Sequence, residues 1–254
     1  MTAVTVDIEG DWETDALRGV DEVLPRLLDG FAARGVRATL FIVGSVAQAR
    51  PRAVRDAIAR GHTLGAHGMT HRAFSQLDPT ARRSDLVDVR ALLEDIAGAP
   101  CTAFRAPFFD LPDDLGPVLE SAGYRWSSSK APFSPVAGYR HLGATEPHRL
   151  PGSTVVEVPV PRVLGMPIPE GLSYRRLFWP ATAAPTDPPR VFYLHPYELL
   201  DAPAGGGALG RVRGALMGIR SGRWAEEHLW RWLDGWRARG AVFAPPDPDA
   251  LVGL

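Results

Sequence analysis

The sequence predicts an α/β fold, a distorted (β/α)-barrel with about seven parallel strands, in a single domain spanning residues 1–254. Three observations predict it. Short apolar runs alternate with amphipathic helical stretches along the chain, giving about eight strand candidates. Neither a linker-like segment nor an internal repeat interrupts that alternation. Several of the apolar runs end in polar residues suited to chemistry, the placement that a barrel's carboxyl-terminal face favours.

The first run, residues 2–9, ends in acids within Thr5-Val6-Asp7-Ile8-Glu9-Gly10. Residues 19–34 follow a helical period, with Val20, Val23, Leu24, Leu27, Leu28 and Phe31 on one face and Gly35 as the closing glycine. Residues 36–43 form a second buried strand. Pro51 opens a helix over 51–60 that Gly61 ends. Residues 64–66 make a brief third strand. A helix follows over 78–97, with Leu86, Val89, Leu92, Leu93 and Ile96 inward. Strands at 101–104 and 124–127 flank a helix at 112–122, and 131–153 is irregular and rich in proline and glycine. Further strands fall at 155–159, 190–194 and 241–243, with helices at 172–179 and 223–238.

Composition narrows the function. Hydrophobic residues make up 45% and charged residues 22%, which is ordinary for a globular chain with a full core. Net charge is −1 with no long basic tract, so nothing suggests a nucleic-acid or anionic-membrane footprint. Lys130 is the only lysine among the 28 cationic residues. Cys101 is the only cysteine, so no intrachain disulfide can form, and its apolar neighbours suit a small buried side chain. No leader-like n-region and no transmembrane segment is evident, so a cytoplasmic protein is expected.

The stretch Gly61-His62-Thr63-Leu64-Gly65-Ala66-His67-Gly68-Met69-Thr70-His71 holds two histidines four residues apart. On a helical turn both imidazoles would share a face. Paired neutral imidazoles favour Zn²⁺, Co²⁺, Ni²⁺ or Cu²⁺ over hard cations. The alternative is a pair of surface or capping histidines. Asp7, Glu9, His67, Arg105 and His195 all stand at predicted strand ends and can converge there. Singly, each also fits an ordinary role: helix cap, surface ion pair or core histidine.

In order along the chain, these stretches resemble the motifs of the polysaccharide deacetylases of the carbohydrate esterase family 4 type, the NodB-like domain. Thr5-Val6-Asp7-Ile8-Glu9-Gly10 resembles the first motif, T-F-D-D-G. Residues 61–71 resemble the second, G-H-x-[IL]-[GA]-x-H-[ST]-x-x-H. Phe104-Arg105-Ala106-Pro107-Phe108 resembles the third, [FR]-R-x-P-[YF]. Leu194-His195 resembles the last, L-H, followed here by Pro196-Tyr197-Glu198.

The resemblance implies a metal-dependent hydrolase that removes an N-acyl group, acetyl in the first instance, from an amino sugar. It implies Asp7 as general base, Glu9, His67 and His71 as ligands of zinc (or cobalt or nickel), and His195 as general acid. Arg105 would pair with Asp7 and hold it ionised, and the Phe108 N–H would help hold the oxyanion. The carbohydrate substrate would be small, nucleotide-linked or lipid-linked. Two departures bear on the ligand set: Ile8 separates the acids, and Glu9 replaces an aspartate. Residues two apart in a strand share a face, so Asp7 and Glu9 can still converge, while Asp11 remains a rival ligand. The family's middle motif is not recognisable, and Glu198 is a candidate either for tuning His195 or for a cap. Trp126 and Trp179 are candidates for a sugar subsite. Trp224, Trp230 and Trp232 fit helix packing, and Gly205-Gly206-Gly207 fits a loop. Other readings are a deformylase of a lipid-linked formamido sugar, a metal-free cyclic amide or imide hydrolase of the same domain family, and a carbohydrate-binding protein on an inactive scaffold.

Overall fold

The computed structural model describes residues 1–251 apart from 13, 133–145, 184–185, 202–214 and 216–217. The chain begins with β1 (Ala3–Ile8), and a π-helical turn at Gly19–Val23 then runs into α1 (Leu24–Ala33). Next come β2 (Thr39–Ile42), α2 (Gly44–Ala49), α3 (Pro51–Ala59), β3 (Thr63–Ala66) and the long α4 (Pro79–Ala97). The second half holds β4 (Ala103–Phe104), α5 (Gly116–Ser121), β5 (Trp126–Ser127), β6 (His148–Arg149) and β7 (Val156–Glu157). It ends with α6 (Leu172–Leu177), β8 (Val191–Leu194), α7 (Gly222–Ala238) and α8 (Pro248–Leu251).

Among the described residues, eight strands form one sheet in the order β6-β7-β5-β4-β3-β2-β1-β8. All neighbours run parallel except β6, which lies antiparallel on β7. The predicted seven parallel strands are therefore present, but they curl into a half-barrel whose edges are β6 and β8. Beyond β8 only an isolated Gly171–Tyr193 bridge continues the pairing.

Strand alternation separates two cores. Val4, Val6 and Ile8 of β1, Leu40 and Ile42 of β2, and Phe192 and Leu194 of β8 face the helices and pack with Leu27, Phe31 and Trp236. Ala3, Phe41, Val191 and Tyr193 point the other way, into the concave face, with Phe109, Trp126 and Val156. Each fully buried aliphatic or aromatic side chain contributes about 1.5–3 kcal/mol. The same alternation puts Thr5 and Asp7 on the concave side, where their neighbours are polar.

Local signals fixed several helix ends. Asp78 caps α4 by accepting from the Ala81 N–H at 2.9 Å, Pro79 occupies its first turn, and Gly98 closes it at φ 60°. Gly35 follows α1 at φ 57°. Other expectations need correction. Residues 241–243 form no strand but a single bridge, Thr2 to Phe243, made by the Thr2 N–H to the Val242 carbonyl at 2.9 Å and the Ala244 N–H to the Thr2 carbonyl at 3.3 Å. Helix α2 was not anticipated, since six residues are too few to show a period. The small edge strand β6 lies inside the stretch read as irregular. Gly205-Gly206-Gly207 lies outside the described residues.

Candidate metal centre and proton-transfer site

Arg105 follows β4 and is buried completely. Its Nη1 donates to Asp7 Oδ1 at 2.7 Å and to Thr5 Oγ1 at 3.0 Å. Its Nε donates to the Ser128 carbonyl at 2.8 Å and its Nη2 to Ser128 Oγ at 2.9 Å. The guanidinium also lies over the Phe41 ring, 4.4 Å from the centroid. Every edge of the fork is thus engaged, and Asp7 is fixed against a permanent cation.

Glu9 continues past β1 beside the two histidines. Its Oε2 lies 2.5 Å from His71 Nε2 and 3.5 Å from His67 Nε2. One ligating atom from each of Glu9, His67 and His71 lies within 4.8 Å of the others. His67 Nδ1 sits 2.8 Å from the Arg105 carbonyl. A carbonyl only accepts, so Nδ1 carries the proton and Nε2 presents its lone pair, as a ligating imidazole requires. Burial opposes the charge on Glu9, but the attraction and hydrogen bonds of His71, His67 and His195 outweigh it and hold the carboxyl well below its usual range.

The histidine segment is not the helical turn that the spacing suggested. Gly68 and His71 both adopt left-handed backbone, at φ 72° and 52°. The rings still meet, with centroids 5.0 Å apart. Asp11, the rival ligand, faces away: its carboxylate accepts from the Arg18 and Gly19 N–H groups at 3.1 and 2.8 Å. It caps the helical segment that starts at Gly19.

His195, just beyond β8, turns its Nε2 towards the carboxylates, 3.8 Å from both Asp7 and Glu9. Its Nδ1 donates to Glu198 Oε1 at 2.8 Å, and the same oxygen accepts the His195 backbone N–H at 3.1 Å. The buried Arg176 guanidinium holds the other oxygen of Glu198 at 3.3 Å. Burial works against the imidazolium, but the Glu198 hydrogen bond and the charges of Glu9, Glu198 and Asp7 prevail and raise His195 to about 9. Glu198 is therefore buried behind the histidine, and the contact was detectable only as an i, i+3 spacing. Arg176, Thr5 and Ser128 carried no signal in the sequence, because their partners lie far away along the chain.

Asp7, Glu9, His67, His71 and His195 line one open cavity of about 810 Å³, together with Trp12, Phe108, Phe109, Tyr174 and Tyr193. Phe108 is 47% exposed, lies at φ 59°, and sets its ring 4.5 Å from His71. Trp126 is absent from the lining. It is buried and packs edge-on against Phe41, because β5 turns it into the concave core. Trp179 likewise packs edge-on against Trp224 and His228. Trp230 packs edge-on against Phe31 under the Arg34 guanidinium, as expected of a packing residue. Cys101 is buried, as expected. Among the described residues no helix is long and apolar enough to cross a membrane.

The sequence profile of the family described as polysaccharide deacetylase matches residues 5–127. A chitooligosaccharide deacetylase of Sinorhizobium fredii is 33% identical over 100 residues, covering 39% of this chain and 46% of the relative. A peptidoglycan-N-acetylglucosamine deacetylase of Bacillus cereus is 25% identical over 109 residues, covering 43% and 37%. The chain thus spans less than half the length of these curated relatives. Among solved structures, the polysaccharide deacetylase Bc1974 of Bacillus cereus superposes with a TM-score of 0.57 at 16% identity, covering 98% of this chain and 93% of that one. A family 4 carbohydrate esterase of Bacillus anthracis gives 0.56 at 16% identity, covering 99% and 82%. Residues 5–127 are thus similar to the polysaccharide deacetylase family, and the chain shares the fold of the solved family 4 carbohydrate esterase.

Proposed function

We propose that the protein is a metal-dependent N-deacetylase of amino-sugar substrates. The observation that carries this reading is the convergence, in one cavity, of a two-histidine, one-carboxylate donor set with a second carboxylate held by Arg105 and a histidine backed by Glu198. Two imidazoles and a carboxylate suit a borderline ion such as Zn²⁺, with Co²⁺ or Ni²⁺ as alternatives. An ion held by Glu9, His67 and His71 would polarise the amide carbonyl and acidify water.

The chain's own groups do the rest. Asp7, held in place by the Arg105 fork, takes the proton of the attacking water. His195 delivers a proton from Nε2 to the departing amine nitrogen while Glu198 keeps Nδ1 occupied. The backbone N–H of Phe108, a residue of the cavity wall, would donate to the carbonyl oxygen as its charge develops. The chitooligosaccharide and peptidoglycan deacetylases among its relatives make N-acetylglucosamine compounds the first substrates to test. A small nucleotide- or lipid-linked acetamido sugar is the more specific expectation.

The test is acetate release from chitooligosaccharides, peptidoglycan fragments and nucleotide-linked N-acetyl sugars. It is run on native, chelator-stripped and Zn²⁺- or Co²⁺-restored protein. Activity that disappears on stripping and returns with the ion supports the reading. Activity indifferent to the chelator overturns the metal mechanism and favours a metal-free amide hydrolase.

A further inference from the structure

Residues 68–70, which join the two histidine ligands, have no regular secondary structure to hold them. At position 68 the family pattern carries serine or threonine, and this chain has glycine. Gly68 lies at φ 72°, where a side chain is strained, and a Cβ there would stand 3.2 Å from Pro107 and 3.5 Å from Asp85 Oδ1. The segment is instead gripped from both sides. On one side the first turn of α2 donates its Gly44 and Ser45 N–H groups to the Gly68 and Met69 carbonyls, at 3.0 and 2.9 Å. Gly44 permits that approach, since a Cβ on it would stand 3.2 Å from Met69 Cα. On the other side Asp85, in the second turn of α4, accepts the Met69 N–H at 2.9 Å.

We propose that Asp85 is a positioning residue for the metal centre: through the Met69 N–H it fixes the spacing of His67 and His71 and thereby sets metal affinity. The proposal rests on the reading of Glu9, His67 and His71 as ligands. Asp85 does not reach the cavity and touches neither ion nor substrate. It acts only by holding the backbone midway between the two imidazoles, in a segment whose left-handed His71 has no helix to keep it in place. The side chain is half-buried and stands on α4, a nineteen-residue helix capped at both ends, which holds the anchor in place. Removing an outer partner of a metal ligand costs roughly 10–100-fold in affinity.

The experiment is a Zn²⁺ titration against a chromophoric chelator for wild type, Asp85→Ala, Asp85→Asn and His71→Ala, with the melting temperature of each metal-free protein as a check on folding. We expect Asp85→Ala to bind Zn²⁺ roughly 10–100-fold more weakly, and Asp85→Asn, which keeps an acceptor oxygen, to stay near wild type. Equal affinity in wild type and Asp85→Ala overturns the proposal while leaving the metal site intact. Wild type that binds no more Zn²⁺ than His71→Ala overturns the metal reading itself. Amide exchange in metal-free wild type keeps the idea testable should Asp85→Ala not fold. A protected Met69 N–H supports the clamp, and exchange at the rate of an unprotected amide overturns it.

Discussion

Arg105 and Asp7, 98 positions apart, meet in a buried ion pair at 2.7 Å, with their side chains 0% and 2% exposed. Because Thr5 and Ser128 take the remaining edges of the guanidinium, Arg105 is positioned by the scaffold, and Asp7 is positioned by Arg105. Two different outcomes follow from substituting the two partners. Asp7→Asn keeps the hydrogen-bonding shape and removes the proposed base, so kcat falls about 10²–10⁴-fold. Arg105→Ala leaves a buried carboxylate without its cation, which costs about 3–5 kcal/mol of stability besides the activity. Arg105→Lys restores one charge but not the fork, and its melting temperature falls between wild type and Arg105→Ala. Chemical denaturation alongside kcat separates the two effects, and an Arg105→Ala protein as stable as wild type contradicts the structural half.

On the proposed mechanism, Glu198 controls the pH range over which His195 can give up a proton. With His195 raised to about 9, the imidazolium persists through neutrality and is lost as pH rises through that value. The alkaline limb of kcat/KM therefore lies above the ordinary histidine value of 6.5. A cation bound to Glu9 offsets one of the charges responsible, so the limb of the loaded enzyme lies below 9. Glu198→Gln removes the carboxylate at Nδ1 and moves the limb further down. The same shift has a stability consequence: its contribution is complete below pH 6.5 and disappears as pH rises through 9. pH profiles of wild type and Glu198→Gln measure both, and an unmoved limb removes Glu198 from the proton-transfer machinery.

The residues that could be read from sequence are those whose signal is local. Asp7 and Glu9 show as acids at the end of an apolar run, His67 and His71 as a spaced pair, and Gly35 as the glycine that closes α1. Strand alternation put Asp7 and Glu9 on a shared side, and both carboxylates approach His195 Nε2. Failures came where tertiary contact decides. Trp126 belongs to the concave core because β5 pairs between β4 and β7, an arrangement that no window of sequence contains. Arg176 meets Glu198 across 22 residues, and Ser128 meets Arg105 across 23. The histidine pair was read as helical from its spacing, whereas Gly68 and His71 reach the same proximity through left-handed backbone.

Asp11 and Glu9, two residues apart, separate capping from ligation. Asp11→Ala removes the acceptor for the Arg18 and Gly19 N–H groups and lowers stability by about 0.5–2 kcal/mol, the usual effect of losing a cap. Zinc stoichiometry by elemental analysis is unchanged in that variant. Glu9→Gln, by contrast, gives up the charge of the proposed ligand and is expected to lose bound zinc with little change in melting temperature of the metal-free protein. Zinc retained by Glu9→Gln and lost by Asp11→Ala would reverse the assignment.

His62 shares its motif with the ligands yet serves the fold. Its ring packs 5.9 Å from Phe31, and its Nδ1 accepts the Ala38 N–H at 3.1 Å, holding the entry to β2 against the turn before β3. Accepting requires an unprotonated Nδ1, and protonating the ring there destroys the bond. Burial, helped by the neighbouring Arg60 charge, lowers His62 from 6.5 to about 4. Between those values the unfolded chain takes up a proton that the folded chain refuses, so stability is present above pH 6.5 and drains away as pH falls towards 4. Asn in place of His62 offers a neutral oxygen acceptor that does not titrate in this range. The melting temperature of the metal-free wild type should therefore drop more steeply from pH 7 to pH 5 than that of His62→Asn. The carboxylates common to both proteins cancel in the comparison, and parallel curves would show that His62 is protonated as easily in the folded chain as outside it.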